Sequence, residues 1–416
     1  MASVCFYFQV HQPDRLREYR VFDIGNSPFY LDQRKNEQIF RKVAIKSYLP
    51  MAKLLNKLVR STKGQFKCAF SFSGVFLEQA KKYAPEVIQA YQELHATGCM
   101  EILSESYYHS LSFLHSIDEW KEQVQKHKEL IKEIFDIEPT IFRNTELIYS
   151  DAIGEAACQM GFKAVLAEGV DNILNGRSPN QVFQHPQYSE MKILTRNYRL
   201  SDDIAFRFSN QNWNEWPLTT DKFASWIECE GESAQCINLF MDLETFGEHQ
   251  WDQSGIFEFM RYLPQAILKS GRNDFKTPSE VIESFESKEV YECPNYSSWA
   301  DRERDLSAWK SNKMQEEIFE RLYSFEQPIK ELNKPELLDI WRRLTTSDHL
   351  YYMSTKMDAD GDVHGYFRPY DSPYDGYINM TNVLNDLAVR VKKQLQSKDK
   401  LSATVHSLTE TVKKTS

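Results

Sequence analysis

Cysteine is scarce and unpaired in this chain. The seven cysteines lie scattered singly from Cys5 to Cys293, with no C-x-x-C pair and no zinc-type spacing. That excludes a disulfide framework and fits reduced thiols in a cytoplasm, the expected location. A basic excess is missing as well: 60 acidic against 50 basic residues leave a net charge of −10. With no basic patch to offset phosphate repulsion, nucleic acid is not the expected partner, whereas a neutral substrate is compatible. No run approaches the roughly 20 apolar residues of a membrane helix, so no membrane association is expected. The N-terminal MASVCFYFQVHQP has no basic n-region and no small-residue cleavage site, which argues against a secretory signal. No G-x-G-x-x-G loop follows any strand-like run, which removes the usual dinucleotide reading.

What is present is a chain of 416 residues, 41% hydrophobic and 13% aromatic, long enough for a large α/β domain and a smaller one. One pattern recurs: an apolar strand, polar residues, then a helical stretch. The strands are VCFYFQVHQP (4–13), KCAFSFSG (67–74), MEILSE (100–105), TIFRNTE (140–146), KAVLAEG (163–169) and INLFMDLE (237–244). Amphipathic helices lie between them, among them 117–135, which opens at Ser116 with Glu119 three residues on, a capping-box start. Alternating strands and helices imply a parallel sheet, and six or more such units favour a βα barrel over an open sheet. After about residue 285 the pattern becomes helical, with apolar residues at three- and four-residue spacing. The expected domains are therefore 1–285, a helical region over 286–396, and a polar tail over 397–416.

Side chains alternate across a strand, so residues two apart share a face. Gln9 and His11 share one, as do Ser71 and Ser73, Asn144 and Glu146, and Asp242 and Glu244; Glu101 and Glu105 follow if the third strand runs that far. Polar groups are thus expected at the carboxyl ends of five strands, where βα barrels build active sites. Two carboxylates across a dry cleft suit glycoside hydrolysis, one attacking the anomeric carbon while the other protonates the departing oxygen. Phe246, Trp251, Tyr107 and Tyr108 would supply stacking surfaces for sugar rings, and His11 and His109 hydrogen bonds to hydroxyls. The bland alternatives are a structural ion pair of Asp242 or Glu146 with Arg143, a buried satisfied His11, and core roles for Trp251 and Trp299.

Five stretches then carry a resemblance. QVHQP (9–13), GCMEILSESYYHS (98–110), FRNTELIYSD (142–151), MDLETFGEHQ (241–250) and ERDLSAWKSNKMQ (303–315) resemble, in order, the conserved regions of glycoside hydrolase family 57, α-amylase-like group. The resemblance implies an incomplete parallel (β/α)7 barrel followed by a C-terminal α-helical bundle that completes the substrate cleft. It implies a retaining mechanism on α-1,4-linked glucans with Glu146 as nucleophile, Asp242 as general acid/base and no cofactor. It places Trp309 in the cleft; Glu101, His109, Glu244, Trp251, Trp299 and His11 are the other expected substrate-binding residues. One departure stands out: Lys310 and Ser311 follow Trp309 where relatives carry an apolar residue and a glycine. An aspartate acting as an acid needs a raised pKa, expected here from repulsion by Glu244 and Glu146.

Other readings remain at this point. A 4-α-glucanotransferase would use the same site, and a non-catalytic α-glucan-binding homologue would keep its walls. Metal-dependent polysaccharide deacetylases also use incomplete βα barrels, but need an Asp and two His on one metal. No H-x-x-x-H pair occurs here, so no metal site is expected. DADGDVH (358–364) has Val363 where a calcium loop needs glycine and Pro369 where it needs glutamate, so a polar surface turn is expected.

Overall fold

The computed structural model describes residues 2–287 and 289–415, with side chains through residue 398. Among the described residues ten strands form in chain order: β1 Ala2–Val10, β2 Cys68–Phe72, β3 Met100–Ile102, β4 Ile141–Arg143, β5 Ala164–Glu168, β6 Val182–Gln184, β7 Lys192–Arg196, β8 Cys236–Asp242, β9 Asn273–Phe275 and β10 Glu289–Val290. One sheet runs β3-β2-β1-β8, with β9 also on β1, and every pairing in it is parallel. The other runs β10-β6-β7-β5-β4, parallel except for β6 on β7. The sheets meet where Ser104, just past β3, bridges Phe142 of β4. On the far side no ladder joins β7 to β8 among the described residues. Instead the Asn197 amide donates to the Asn238 carbonyl at 2.9 Å and Asn238 Nδ2 to the Thr195 carbonyl at 2.9 Å.

All six strands read from the sequence form where expected; β7, with its KILTR alternation, adds a further one parallel to β5. The alternation of β1 divides two cores. Val4, Phe6, Phe8 and Val10 face a large cluster beneath the helices, where Phe6 stacks on Phe8 at 5.9 Å and Phe70 on Phe72 at 5.4 Å. Cys5 and Tyr7 face a second cluster with Ala69, Leu103, Ile141, Leu166, Leu194 and Phe240. Moving two residues along each strand from this second face reaches Gln9, Ser71, Glu105, Arg143, Glu168, Arg196 and Asp242. These seven polar residues all lie at carboxyl ends, on the face whose lower part is apolar.

The helices start and stop at local signals. Ser73 caps Gly74–Tyr83 by accepting from the Phe76 amide, and Pro85 opens Pro85–His95. Ser116 caps Ile117–Phe135 and left-handed Asp136 ends it. The Ser116 hydroxyl accepts from the Glu119 amide, and the buried Glu119 carboxylate accepts from Gln123.

The chain divides into two compact units. The first comprises 1–13, 34–109 and 116–306, and the second comprises 14–33, 110–115 and 307–416. In the second unit Asp386, on the long helix Pro373–Thr415, accepts from the Gly25 amide and the Tyr30 hydroxyl. Arg343 pairs with Asp14 there. The stretch 358–364 is helical rather than a turn, within Asp358–Phe367. The last helix continues to Thr415 through the expected polar tail, whose side chains beyond residue 398 lie outside the described residues.

Candidate active site

Glu146 sits on a distorted turn after β4. Glu146 and Leu147 both take left-handed backbone angles, φ 56° and 51°. Such positions cost non-glycine residues of order 1–3 kcal/mol each and persist only where surroundings enforce them. Here the enforcement comes from a strap over 291–299: Tyr149 and Ser297 exchange backbone bonds of 3.0 and 2.9 Å, and the Trp299 amide reaches the Glu146 carbonyl. The strap delivers the Trp299 indole, whose Nε1–H donates to Glu146 Oε2 at 2.7 Å. His109, itself left-handed at φ 51°, closes the other oxygen, with Nε2 2.9 Å from Glu146 Oε1.

A chain of polar groups runs behind His109. Its Nδ1 lies 3.3 Å from Glu105 Oε2, and Glu105 accepts from Gln9 Nε2 at 3.1 Å. Burial works against a charged His109, yet its bonds to Glu105 and Glu146 outweigh it and lift the imidazole to about 9. Burial likewise works against an ionised Glu146. The His109 bond and charge, Arg143 and the Trp299 bond prevail and hold it below the usual carboxylate range. His11 stacks on His109 with ring centres 4.0 Å apart and bonds Ser73 Oγ through Nδ1 at 2.7 Å.

Asp242 ends β8 opposite Gln9 of β1. Its environment is the reverse: burial first, then the Glu146 charge, push it up to about 7. The sequence reading credited repulsion from both glutamates; burial is the larger cause. Glu244 follows at about 8, raised by burial and then by Asp242, while the Tyr48 hydroxyl donates to it at 2.6 Å. At neutral pH Glu244 therefore carries a proton and adds little repulsion. Gly247 lets the loop fold back: its φ is +104°, and a Cβ there would stand 2.0 Å from the Lys46 carbonyl oxygen. Glu248 pins the same loop through Lys42 at 2.5 Å and Lys46 at 3.5 Å.

Other predicted site residues have surroundings of their own. Glu101 lies at the opening end of β3 and accepts from the amide and hydroxyl of Ser279, at the start of helix Pro278–Ser284, so it serves that helix end. Asn144 accepts from Trp120 Nε1 and donates to the Ile148 carbonyl, because the left-handed turn breaks the two-residue alternation toward Glu146. Phe246, Tyr107 and Tyr108 are buried and offer no open ring face, whereas Trp251 is 65% exposed. Trp309, in the second unit, is 1% exposed and packs 6.2 Å from Tyr351. The two departures beside it have local roles: Lys310 lies over the Phe319 ring at 4.2 Å, and Ser311 donates to Gln315. Sequence reasoning underused Glu105, Arg143 and the strap; the signal was the charge that closes each strand's inner face. Among the described residues no group of three or more His, Cys, Asp or Glu could hold a metal ion. No described helix is long and apolar enough to cross a membrane.

Two carboxylates thus lie in one polar layer, one held ionised and the other pushed toward its neutral form. The chain belongs to glycosyl hydrolase family 57, whose model matches residues 5–294. It is 43% identical over 405 residues to a Methanocaldococcus jannaschii protein named "Putative alpha-amylase", covering 94% of this chain and 85% of that one. Among solved structures it resembles a family 57-type branching enzyme from Pyrococcus horikoshii, with a TM-score of 0.65 and 15% identity over 88% of this chain and 87% of that one. It also resembles a 4-alpha-glucanotransferase from Thermococcus litoralis, with a TM-score of 0.62 and 14% identity over 84% of this chain. Of that glucanotransferase the chain spans only 56%. At such identities these two likenesses speak for the fold alone.

Proposed function

We propose that this protein is a retaining hydrolase of α-1,4-linked glucans, with Glu146 as nucleophile and Asp242 as general acid/base. The carrying observation is the opposite treatment of the two groups. Glu146 receives two charge-stabilising hydrogen bonds, from His109 and Trp299, while Asp242 is raised to about 7. The name of the 43% identical relative supports a glucan substrate. In this reading β8-β1-β2-β3-β4-β5-β7 act as an incomplete (β/α)7 barrel.

Glu146 attacks the anomeric carbon as the bond to the leaving oxygen breaks, and the Asp242 proton passes to that oxygen. Asp242, now a carboxylate, takes a proton from water as the water oxygen attacks the same carbon and expels Glu146. Two inversions retain the configuration. His11, stacked on His109 at the rim of this layer, and Trp251, largely exposed, are the candidate sugar contacts. The glycosyl-enzyme can equally be resolved by a sugar hydroxyl, which would make the protein a 4-α-glucanotransferase; reducing-end release against chain-length redistribution on maltoheptaose separates the two.

The mechanistic test is azide rescue. Glu146→Ala should give a β-glycosyl azide, and Asp242→Ala an α-glycosyl azide from its accumulated intermediate. The carboxyl groups should lie about 5–5.5 Å apart in a substrate complex, against roughly 6.5–9.5 Å for an inverting pair. Products of the same anomer from both variants would reject the assignment.

A further inference from the structure

Arg143 ends β4 with its side chain fully buried, and none of its three guanidinium nitrogens has a hydrogen-bond partner among the described residues. Its nearest carboxylate oxygen, Glu105 Oε2, is 4.0 Å away, beyond hydrogen-bonding range. A buried guanidinium left this way is costly, and Glu105 does not need it, having Gln9 and His109. Its closest organised contact is a ring: the guanidinium carbon lies 4.8 Å from the centre of the Trp299 indole. Arg196 approaches the same ring at 5.7 Å. Trp299 is the residue that donates to Glu146.

We infer that Arg143 is a positioning residue, a deliberately unpaired charge that steadies Trp299 against Glu146 and supplies the positive field shared by Glu146 and Asp242. This rests on the assignment of those two carboxylates as the reacting pair. Being fully buried, Arg143 acts through them and not on the substrate. The titratable groups within reach of its charge are Tyr7 from β1, Glu105 after β3, Glu146 on the turn after its own strand and Asp242 of β8, while Arg196 of β7 shares the Trp299 ring and His109 is bonded to both Glu105 and Glu146. Glu105 is already compensated by His109, so Arg143 leaves an unspent positive charge for the reacting carboxylates. An ammonium would give the charge without the flat stacking face, which explains an arginine here.

The test compares pH–rate profiles of the parent with Arg143→Met, Arg143→Gln and Arg143→Lys on maltoheptaose. Ionised Glu146 sets the acidic limb and protonated Asp242 the alkaline limb. Arg143 lowers both groups, so its removal raises both. Both limbs should move to higher pH, by about one unit, in the methionine and glutamine variants. The lysine variant should keep the parent limbs and lose kcat, because charge remains and stacking does not. Should the methionine variant not fold, the glutamine variant carries the same comparison. Unmoved limbs in a folded neutral variant overturn the inference, as does a lysine variant whose limbs move as far as the neutral ones. Glu146→Gln is measured alongside: parental turnover there rejects the catalytic pair itself, whereas an inactive Glu146→Gln with unmoved Arg143 limbs rejects only the part given to Arg143.

Discussion

Replacing Trp299 with Phe removes one atom group of consequence, the indole N–H, and keeps an aromatic ring between Arg143 and Arg196. That N–H makes a 2.7 Å bond to an ionised carboxylate, one of two side-chain donors on Glu146. Hydrogen bonds to charged groups contribute about 1.5–3 kcal/mol. If all of it favours the ionised form, Glu146 rises by about one to two pH units at 1.36 kcal/mol each. Glu146 is 25% exposed, so water can replace part of the lost bond and the lower figure is the better expectation. The acidic limb of kcat/KM on maltoheptaose should therefore move up by about one unit. The alkaline limb should stay near 7, where burial and the Glu146 charge set Asp242. The pattern differs from removing Arg143, which should move both limbs. An acidic limb that stays in place in Trp299→Phe would refute the claim that the strap tunes the nucleophile.

The carboxyl pair also has a stability signature of unusual sign. Asp242 holds its proton to about 7 when folded and loses it near the ordinary 3.8 when unfolded, so its ionisation weakens the fold as pH rises through that interval, by up to about 4 kcal/mol. Asp242→Asn should raise the melting temperature at pH 8 and leave it unchanged at pH 3; an equal gain at both would refute the sign. Trp309→Ala should cost about 3–5 kcal/mol in denaturant unfolding, because Trp309 is a buried ring. Unchanged stability with weakened maltooligosaccharide binding would restore the stacking role that the sequence suggests.

Much of the fold is legible because the strands repeat one grammar, an apolar alternation followed by helix caps. KILTR (192–196) follows that grammar too, but its short alternation lies among turn-rich segments and is easily passed over. The inner-face charges are legible for a simple reason: an apolar residue facing the second core is followed two positions later by a polar one, as in Ile141 to Arg143 and Leu194 to Arg196. What alternation cannot supply is the direction of a side chain once the backbone leaves the strand. Asn144 and Glu146 look like face-mates, yet the left-handed turn sends one to Trp120 and the other to His109. Nor can spacing show that Trp299 reaches Glu146 from 153 residues away.

The inner-face layer explains why two carboxylates so close in the fold differ in charge. From Glu105 the sequence of groups alternates: carboxylate, imidazolium, carboxylate, with Arg143 beside them and Arg196 bound to Glu168 at 3.1 Å further round. Every ionised acid in this arc has a cation in contact. Asp242 and Glu244 lie past its end, where the direct neighbours are each other, Gln9 across the ladder and the Tyr48 hydroxyl. Among the described residues no ion pair reaches either one, so desolvation outweighs the more distant Arg143, His109 and Arg196 charges on Asp242, and the proton is the cheapest counter-charge. The proposed division into nucleophile and acid thus follows from where the alternation of charge stops. A cation introduced beside Asp242 would convert the acid into a second carboxylate and remove the proton that the leaving oxygen needs.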